Sequence, residues 1–330
     1  MDIAFGKGHA CIIGIGGDLP CTVADAKGLS KILQDPLRCA YPAHQVHLLT
    51  ETAATRPNII STLEHLANTT TEDSTVLIYF SGHGFQVTKP LESYYLLPHG
   101  YNTKHLSETA LSGAELIDLL RDIPAQKLLL LLDCCHAGGL ANLSEFQVEK
   151  SPLPPEAHRM FSKGGGRMII GSSLPDELSY SGNPYSAFTT ALIEGLCGEG
   201  VSREDGYVRA ADLAMYASRT VSTATQDKQH PVLEIEKADN FVLAYYAGGK
   251  SKPKALPPEL ANGSTIDMRS EGVGTQTVAS GDRSVAIGGN ANGSTIVSGD
   301  GNSVRVGNVV QTGKYNINIG EASGLNIGDG

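Results

Sequence analysis

The sequence lacks any apolar run that approaches the roughly eighteen residues needed for a transmembrane helix. Residues 1–8 also lack the charged-then-apolar layout that is typical of a secretory signal peptide. These two features argue against a membrane-spanning or secreted protein. We therefore expect a soluble protein of the cytoplasm.

An excess of basic residues is also missing. The 330 residues include 25 Lys and Arg against 35 Asp and Glu, which gives a formal net charge of −10 at pH 7. This acidic balance argues against a dedicated surface for nucleic acid or for an anionic membrane. A basic partner or a basic substrate is compatible with it.

Cysteine patterns that would bind a structural metal are absent as well. The six cysteines are scattered through apolar segments, and the sequence has no Cys-x-x-Cys pair and no His-x-x-x-His spacing. A structural zinc site is therefore not expected, and the scatter favours reduced thiols over disulfides. We expect no resident metal or cofactor.

Residues 9–246 alternate apolar runs with helix-like patterns. This alternation is typical of an α/β fold, in which a parallel sheet carries helices on both faces. After residue 248 the composition changes to a segment rich in Lys, Pro and Gly, which has the character of a linker. We predict a large α/β domain over residues 1–248, a linker over 249–261 and a separate region over 262–330.

Residues 262–330 are rich in Gly, Asn, Ser, Thr, Val and Ile, and they show no helical periodicity. The sequence Asn-Gly-Ser-Thr-Ile occurs at 262–266 and again at 292–296, and short apolar pairs alternate between Gly, Asn and Asp turns. This pattern predicts stacked short strands, as in a small β-solenoid. A self-associating cross-β motif and a flexible tail are the alternatives that the pattern leaves open.

Two short polar segments contain the candidate catalytic residues, a His and a Cys. These two residues are about fifty positions apart, which is the spacing of caspase-type sequences. Ser-Gly-His-Gly at 81–84 and Asp-Cys-Cys-His-Ala-Gly at 133–138 each follow an apolar run that is typical of a buried strand. Because the carboxyl ends of parallel strands share one edge of a sheet, His83 and Cys135 are expected to meet there. An imidazole beside a thiol raises the thiolate fraction and later protonates the leaving group.

Five blocks of the chain resemble the caspase family in their order, and within it the metacaspases and their prokaryotic relatives, the orthocaspases. The blocks lie at residues 21–26, 80–84, 95–98, 132–138 and 172–189. The resemblance implies a caspase-like, mostly parallel sheet with helices on both faces and the activity of a cysteine endopeptidase. It implies Cys135 as the nucleophile and His83 as the acid and base, and it implies an oxyanion hole formed by the amides of Gly84 and Cys135.

The resemblance also implies a pocket for the substrate residue before the cut. The matching positions are Cys21, Ser81 and Asp133, with Ser173 and Asp176 as further substrate contacts from a neighbouring loop. Because an acidic pocket prefers a cation, we expect cleavage after Arg or Lys. His99 departs from the metacaspase pattern, which has an acidic residue there, and Asp176 is the candidate that replaces this charge.

A basic, breaker-rich loop over residues 142–166 lies where caspases separate their large and small parts. An enzyme that prefers Arg or Lys is expected to cut such a loop in itself. The candidate positions for self-processing are Arg159, Lys163 and Arg167. Two neighbours of the nucleophile are expected to be structural, namely Cys134 as a small apolar side chain and His136.

Two other interpretations compete with the peptidase. In the first, the caspase-like fold is a catalytically silent scaffold that assembles through the C-terminal repeats, although the retained His83 and Cys135 argue against it. In the second, the chain is a legumain-like or separase-like peptidase, which the Asp-x-Cys-His-x-Gly block argues against.

The resemblance to prokaryotic relatives implies a context of antiviral defence or regulated cell death. The C-terminal repeats would then regulate the protease or localise it, through self-association or through a partner protein. Some metacaspases need calcium, but the sequence assigns no calcium ligands.

Overall fold

The computed structural model describes residues 4–89, 93–136, 147–149, 166–174, 177–200, 203–235, 240–261 and 263–268, together with eight short strands between residues 286 and 329. The chain divides into two compact units. The first contains residues 1–137 and 142–270, and the second contains residues 138–141 and 271–330.

The first unit is built on a central β-sheet. The strands of this unit are β1 (Gly8–Gly14), β2 (Val46–Thr50), β3 (Thr75–Lys89), β4 (Ser93–Leu96), β5 (Leu111–Ser112), β6 (Lys127–His136), β7 (Gln147–Glu149), β8 (Arg167–Gly171), β9 (Gly182–Asn183), β10 (Tyr207–Arg209), β11 (Val232–Ile235), β12 (Val242–Tyr245) and β13 (Thr265–Ile266). β9 pairs with β13 and β10 pairs with β12 in two small separate sheets, and the other nine described strands form the central sheet. Six of them lie in the order β11-β8-β6-β3-β1-β2, and all but the antiparallel edge strand β11 run parallel. The predicted mostly parallel sheet is therefore confirmed.

Helices cover the described sheet on both faces. They are α1 (Cys21–Gln34), α2 (Arg56–Thr69), α3 (Leu106–Thr109), α4 (Gly113–Asp122), α5 (Ala187–Leu196), α6 (Ala210–Ala224) and α7 (Pro258–Ala261). Ser112 and Ser186 are the N-cap residues of α4 and α5. Their side chains accept hydrogen bonds from backbone amides in the first turn of each helix.

Two hydrophobic clusters form the core, one on each face of the sheet. Successive strand residues point to opposite faces, so Ile12 of β1 joins the cluster that contains α1, α5 and α6, while Ile13 joins the cluster that contains α2 and α4. Tyr79 and Ile78 of β3 divide between the clusters in the same way. Burial on both faces explains why these strands are almost continuously apolar in the sequence.

Arg167 is a structural residue of this core and not part of an exposed loop. It begins β8, is buried, and donates hydrogen bonds to the carbonyl oxygens of Leu120, Ile123 and Ala125 at 2.9, 2.7 and 3.0 Å. Burial lowers the pKa of its guanidinium to about 10. The expectation of self-processing at Arg167 is therefore wrong, because a protease cannot reach a buried strand residue. Arg159 and Lys163 lie outside the described residues.

The second unit contains short paired strands. Three pairs are parallel, namely β14 (Ala286–Ile287) with β19 (Asn318–Ile319), β15 (Ala291–Asn292) with β20 (Ala322–Ser323), and β16 (Thr295–Ser298) with β21 (Asn326–Asp329). The fourth pair, β17 (Ser303–Val306) with β18 (Val309–Thr312), is antiparallel. Residues 263–268, which the sequence analysis assigned to the repeat region, lie in the first unit.

Candidate active site

The candidate site lies where β3 and β6 extend beyond the neighbouring strands. The last residue of β1, Gly14, pairs with Ser81, and the last residue of β8, Gly171, pairs with Leu132. Beyond these positions, β3 and β6 remain paired with each other as far as Gly84 of β3 and His136 of β6. β3 and β6 are thus longer than the apolar runs that predicted them, and the site residues lie within the strand extensions at the carboxyl edge of the sheet.

His83 and Cys135 are paired residues on these two extensions. Their Cα atoms are register partners in the parallel β3 and β6 pair, as are those of Ser81 and Asp133. Adjacent strands in a sheet lie about 4.8 Å apart, so the two backbones place a His and a Cys side by side. The two polar segments therefore reach the same edge of the sheet and lie there in register with each other.

The imidazole of His83 is held by an acidic side chain that the sequence analysis missed. His83 is 2% exposed, and its Nε2 lies 2.8 Å from Oδ2 of Asp18, a side chain that is 59% exposed. The second ring nitrogen, Nδ1, is buried and has no hydrogen-bond partner among the described side chains. One end of the ring is thereby oriented by a carboxylate, which leaves the other nitrogen available for proton transfer.

A tight loop after β1 positions Asp18. Gly16 and Gly17 adopt φ values of +69° and +68°, a region that favours glycine, and Gly16 forms a bridge with Leu19. The side chain of Thr22 accepts a hydrogen bond from the Gly16 amide and donates one to the Leu19 carbonyl, both at 2.8 Å. The Gly-Gly-Asp sequence after an apolar strand is the signal that could have indicated this residue.

Gly84 and Cys134 pack against the core beside the site. A Cβ atom on Gly84 would lie 2.6 Å from the Tyr94 hydroxyl oxygen and 2.9 Å from the Cys134 sulfur, so the close packing requires glycine. Cys134 is buried, and burial raises the pKa of its thiol to about 12. A thiol in this environment is a poor nucleophile, which fits the predicted structural role of Cys134.

Asp133, which lies on β6, is the centre of a buried polar cluster. It is 1% exposed, and it accepts hydrogen bonds from Ser179 Oγ at 2.7 Å, Ser186 Oγ at 2.9 Å and the Tyr79 hydroxyl at 3.3 Å. Burial raises the pKa of its carboxyl, and the hydrogen bonds to it offset part of this effect. Ser81, the register partner of Asp133, is also buried.

A second carboxyl in this cluster, Asp25 of α1, is 1% exposed and was not predicted as a site residue. Its Oδ1 accepts a hydrogen bond from the Ser186 amide at 2.8 Å. Burial and then the charge of Asp133 hold the pKa of Asp25 well above its usual range. Two buried carboxyls in one cluster are costly unless a proton or an external cation neutralises them. Asp25 belongs to the 21–26 block, so the sequence did contain a signal for it.

The other predicted substrate contacts differ in burial. Ser173 is buried two residues after β8, and Cys21 is half-buried at the first residue of α1. Asp176 lies outside the described residues. His99 is half-buried, and its amide donates to the Ala54 carbonyl at 2.9 Å.

Gln229 connects the loop after β8 to this cluster, and the sequence analysis did not single it out. It is fully buried and donates from Nε2 to the Ser172 carbonyl at 2.8 Å and to the Ser179 hydroxyl at 3.3 Å. Its Oε1 accepts from the Tyr180 amide at 2.9 Å. These bonds fix the loop that carries Ser179 against Asp133.

Among the described residues, no group of three or more His, Cys, Asp or Glu side chains is arranged to hold a metal ion. Within the same residues, no helix has the length and apolar character needed to cross a membrane.

The family model described as Caspase domain matches residues 7–242, and this match covers more than half of the chain. The chain therefore belongs to the caspase family, a family of cysteine peptidases. A search of curated proteins found no match.

Solved structures with a similar arrangement include two caspases. Protein GSU0716 from Geobacter sulfurreducens is 18% identical, with a TM-score of 0.48 over 69% of this chain and 92% of that chain. The structure of pro-sf-caspase-1 is 14% identical, with a TM-score of 0.47 over 73% and 95% of the two chains. Caspase-1 from Spodoptera frugiperda is 15% identical, with a TM-score of 0.46 over 76% and 92%.

Proposed function

We propose that the protein is a cysteine endopeptidase that cuts peptide bonds after Arg or Lys, in the manner of prokaryotic metacaspase-like proteins. The observation that carries this proposal is the pair of buried carboxyls, Asp25 and Asp133, beside the paired His83 and Cys135 positions. A guanidinium or ammonium group would offset the charge of the two carboxylates and donate hydrogen bonds to their oxygens. A substrate Asp would add a third negative charge to the same buried region.

The chemistry follows from the two strand extensions. Cys135 passes its thiol proton to His83, and the thiolate attacks the carbonyl carbon of the substrate residue. The amides of Gly84 and Cys135 would stabilise the developing oxyanion. The C–N bond then breaks as His83 protonates the leaving amine, and a water molecule hydrolyses the thioester.

Fluorogenic peptides that differ only in the residue before the cut test this proposal. We expect hydrolysis of peptides that end in Arg or Lys, and no hydrolysis of the matched peptide that ends in Asp. The assay is run at high protein concentration, with and without calcium. No hydrolysis of any peptide under these conditions would favour the scaffold interpretation, and preferred cleavage after Asp would contradict the acidic pocket.

Binding of an Arg residue is expected to release protons from the pocket. Because the folded protein raises the pKa of Asp25 and Asp133, these carboxyls hold protons at a pH where ordinary carboxyls are ionised. A bound cation favours the ionised forms, so the affinity for an Arg-ended peptide increases as the pH rises through the raised pKa values. Calorimetry with the Cys135→Ala protein, in two buffers of different ionisation enthalpy, measures the released protons. Equal apparent enthalpies from pH 5 to 8 would contradict the prediction.

Asp18 is expected to act on the rate through His83. A hydrogen bond to a charged group contributes about 1.5–3 kcal/mol, so Asp18→Asn should lower kcat about 10- to 100-fold. KM should stay within about twofold, because Asp18 contacts the imidazole and not the acidic pocket. Asp18→Glu should restore part of the lost rate, since it keeps a carboxylate.

The control for Asp18 is Asp122→Asn, which removes the charge of an exposed Asp at the end of α4. Its kcat should match that of the wild type. Equal kcat values for Asp18→Asn and the wild type would show that the contact with His83 does not assist catalysis.

The paired strands of the second unit support an assembly role for the C-terminal region. We propose that they stack into a solenoid-like element that associates with other copies or with a partner protein, and so regulates the protease by proximity. The resemblance to prokaryotic relatives favours antiviral defence or cell death as the setting. Size-exclusion chromatography of the full chain and of residues 1–270 tests this, and equal monomeric profiles at all concentrations would contradict it.

A further inference from the structure

One carboxyl group joins the loop that follows β8 to the chain segment that precedes β11. Oε1 of Glu177 lies 2.5 Å from Nδ1 of His230, and Oε2 accepts a hydrogen bond from the His230 amide at 2.6 Å. The Leu174 amide also donates to Oε2, at 3.3 Å. The Glu177 side chain therefore connects its own loop to a residue that is 53 positions further along the chain.

Glu177 and Leu174 also hold each other within the loop. The Glu177 amide donates to the Leu174 carbonyl at 3.1 Å, while the Leu174 amide donates to the Glu177 carboxyl group. Hydrogen bonds in which a carboxylate is the acceptor are shorter and stronger than those between neutral groups. These contacts fix the position of residue 177, from which the chain continues to Ser179.

Two consecutive residues hold this loop from opposite sides. Gln229 is fully buried, and its side chain bonds to the Ser172 carbonyl, the Ser179 hydroxyl and the Tyr180 amide. His230, the next residue, has a side chain that is 40% exposed, and the Glu177 side chain is 17% exposed. Gln229 therefore holds the loop from the core, and His230 holds it near the solvent.

Residues 229 and 230 are themselves attached to regular elements. The Gln229 amide donates at 3.1 Å to the hydroxyl of Thr225, the residue that ends α6. β11 begins two residues after His230, and its first residue, Val232, pairs with Gly171 at the end of β8. Because His230 lies between a helix end and a sheet strand, its contact with Glu177 gives the loop a fixed point of attachment.

The loop that is held in this way carries a hydrogen-bond donor of the acidic pocket. Ser179, two residues after Glu177, donates to Oδ1 of Asp133 at 2.7 Å. Asp133 is 1% exposed, so its orientation depends on such buried donors. A displacement of residue 177 would move the Ser179 hydroxyl and change how Asp133 presents its carboxylate to a substrate cation.

We propose that Glu177 and His230 are positioning residues of the pocket for Arg or Lys, and that their contact keeps the loop of Ser179 in the arrangement that binds substrate. The inference rests on the proposed function, since it assigns a role in the same pocket. Both residues act through Ser179 and Asp133 and not through contact with the reacting bond.

Loss of this contact should weaken substrate binding and leave the chemical step unchanged. When only a fraction of the free protein has the binding-competent loop, the apparent dissociation constant rises by the inverse of that fraction. A bound Arg side chain orders the loop again, so the complex reacts as in the wild type. KM should therefore rise while kcat stays the same, which is the opposite of the pattern expected for Asp18→Asn.

Steady-state kinetics of two variants at position 230, with an Arg-ended fluorogenic peptide, test this role. His230→Ala removes a hydrogen bond to a charged group, so KM should rise about tenfold with kcat within about twofold of the wild type. His230→Asn keeps a nitrogen donor near the position of Nδ1, so its KM should stay within about threefold of the wild type. A wild-type KM in His230→Ala, or an equal rise in both variants, would overturn the inference.

Glu177→Gln tests the other partner of the contact. Glutamine has one acceptor oxygen, whereas both carboxylate oxygens of Glu177 face donors, so KM should rise at least as much as in His230→Ala. Because the two changes remove the same contact, the double variant should show no rise beyond that of Glu177→Gln. A double variant whose KM rises by the product of the two single effects would overturn the shared role.

The matched control is Glu115→Gln, which also removes a carboxylate from a partly exposed ion pair. Glu115 of α4 lies 2.6 Å from the Arg56 guanidinium, and α4 packs on the face of the sheet opposite α1 and α5. Its KM and kcat should match those of the wild type. A rise in KM as large as that of Glu177→Gln would indicate a general loss of stability and would contradict a positioning role.

Hydrogen exchange of backbone amides measures the loop without any substrate. The amides of residues 177–180 should exchange faster in His230→Ala than in the wild type, while those of α4 should not change. Unchanged exchange at residues 177–180 would overturn the inference even if KM rises. If the wild type hydrolyses no Arg-ended or Lys-ended peptide, the peptidase proposal fails and the positioning role fails with it. If the wild type is active and the variants keep its KM, the inference alone is wrong.

Discussion

Cys135→Ala is expected to abolish peptide hydrolysis, with a loss of at least about 10⁴-fold in kcat, as for other nucleophiles of covalent catalysis. The alanine keeps the β6 backbone and its register with β3, so the fold should remain intact. The adjacent Cys134→Ala should keep kcat within a few-fold, because Cys134 packs against Tyr94 and Gly84 on the core side. Progress curves with an Arg-ended fluorogenic peptide measure both effects.

Thermal unfolding distinguishes the structural role of Cys134 from the catalytic role proposed for Cys135. Removing the buried sulfur of Cys134 leaves a small cavity, so Cys134→Ala should unfold at a lower temperature than the wild type. Cys135→Ala should lose activity without a matching loss of stability. If Cys134→Ala were the inactive variant and Cys135→Ala remained active, the assignment of the nucleophile would have to be reversed.

Asp133→Asn is expected to lower kcat/KM for Arg-ended peptides by at least about 100-fold, since removing one partner of a buried ion pair costs about 3–5 kcal/mol. The asparagine keeps one acceptor oxygen and has an NH₂ group in place of the other oxygen, so it can accept from one of Ser179 and Ser186 and donate to the hydroxyl of the other. The loss therefore reflects mainly the missing charge. Without substrate, the same variant should be at least as stable as the wild type, because it removes a buried carboxyl whose pKa is raised.

Asp25→Asn is the matched variant for Asp133→Asn. Both carboxyls serve the same cation, so the double variant should lose less than the product of the two single losses. Steady-state kinetics with Arg-ended and Gln-ended peptides measure the charge preference in each protein. An Asp133→Asn enzyme that still prefers Arg over Gln by the wild-type factor would contradict the pocket assignment.

Much of the protease fold follows from patterns in the sequence. Apolar runs predicted the central strands, because burial on both faces of a parallel sheet leaves no alternation to obscure them. His83 and Cys135 were expected to meet at the strand ends, and the structure pairs their backbones in register.

The remaining features depend on contacts that a linear pattern does not encode. Asp18 lies 65 positions from His83 in the sequence, and a backbone loop brings the two side chains together. Asp25 is buried, although the sequence around it is that of an ordinary amphipathic helix. Arg167 was counted among the basic residues of the preceding loop, but its guanidinium is buried and donates to three core carbonyl groups.

Residues 263–268 show that composition alone can also misplace a domain boundary. Their Gly, Ser and Thr content resembles that of the repeats that follow, so composition assigned them to the C-terminal region. Their main-chain hydrogen bonds, which do not depend on side-chain type, join them to β9 of the first unit instead.

We propose above that Cys135, together with the pocket of Asp25 and Asp133, cuts proteins after basic residues. Digestion of a peptide library of mixed sequence, followed by mass spectrometry of every new terminus, tests this claim most directly. We predict that wild-type protein produces cuts whose preceding residue is Arg or Lys, and that Cys135→Ala produces none of them. Cuts that follow Asp, or cuts that are equally abundant with Cys135→Ala, would contradict the account.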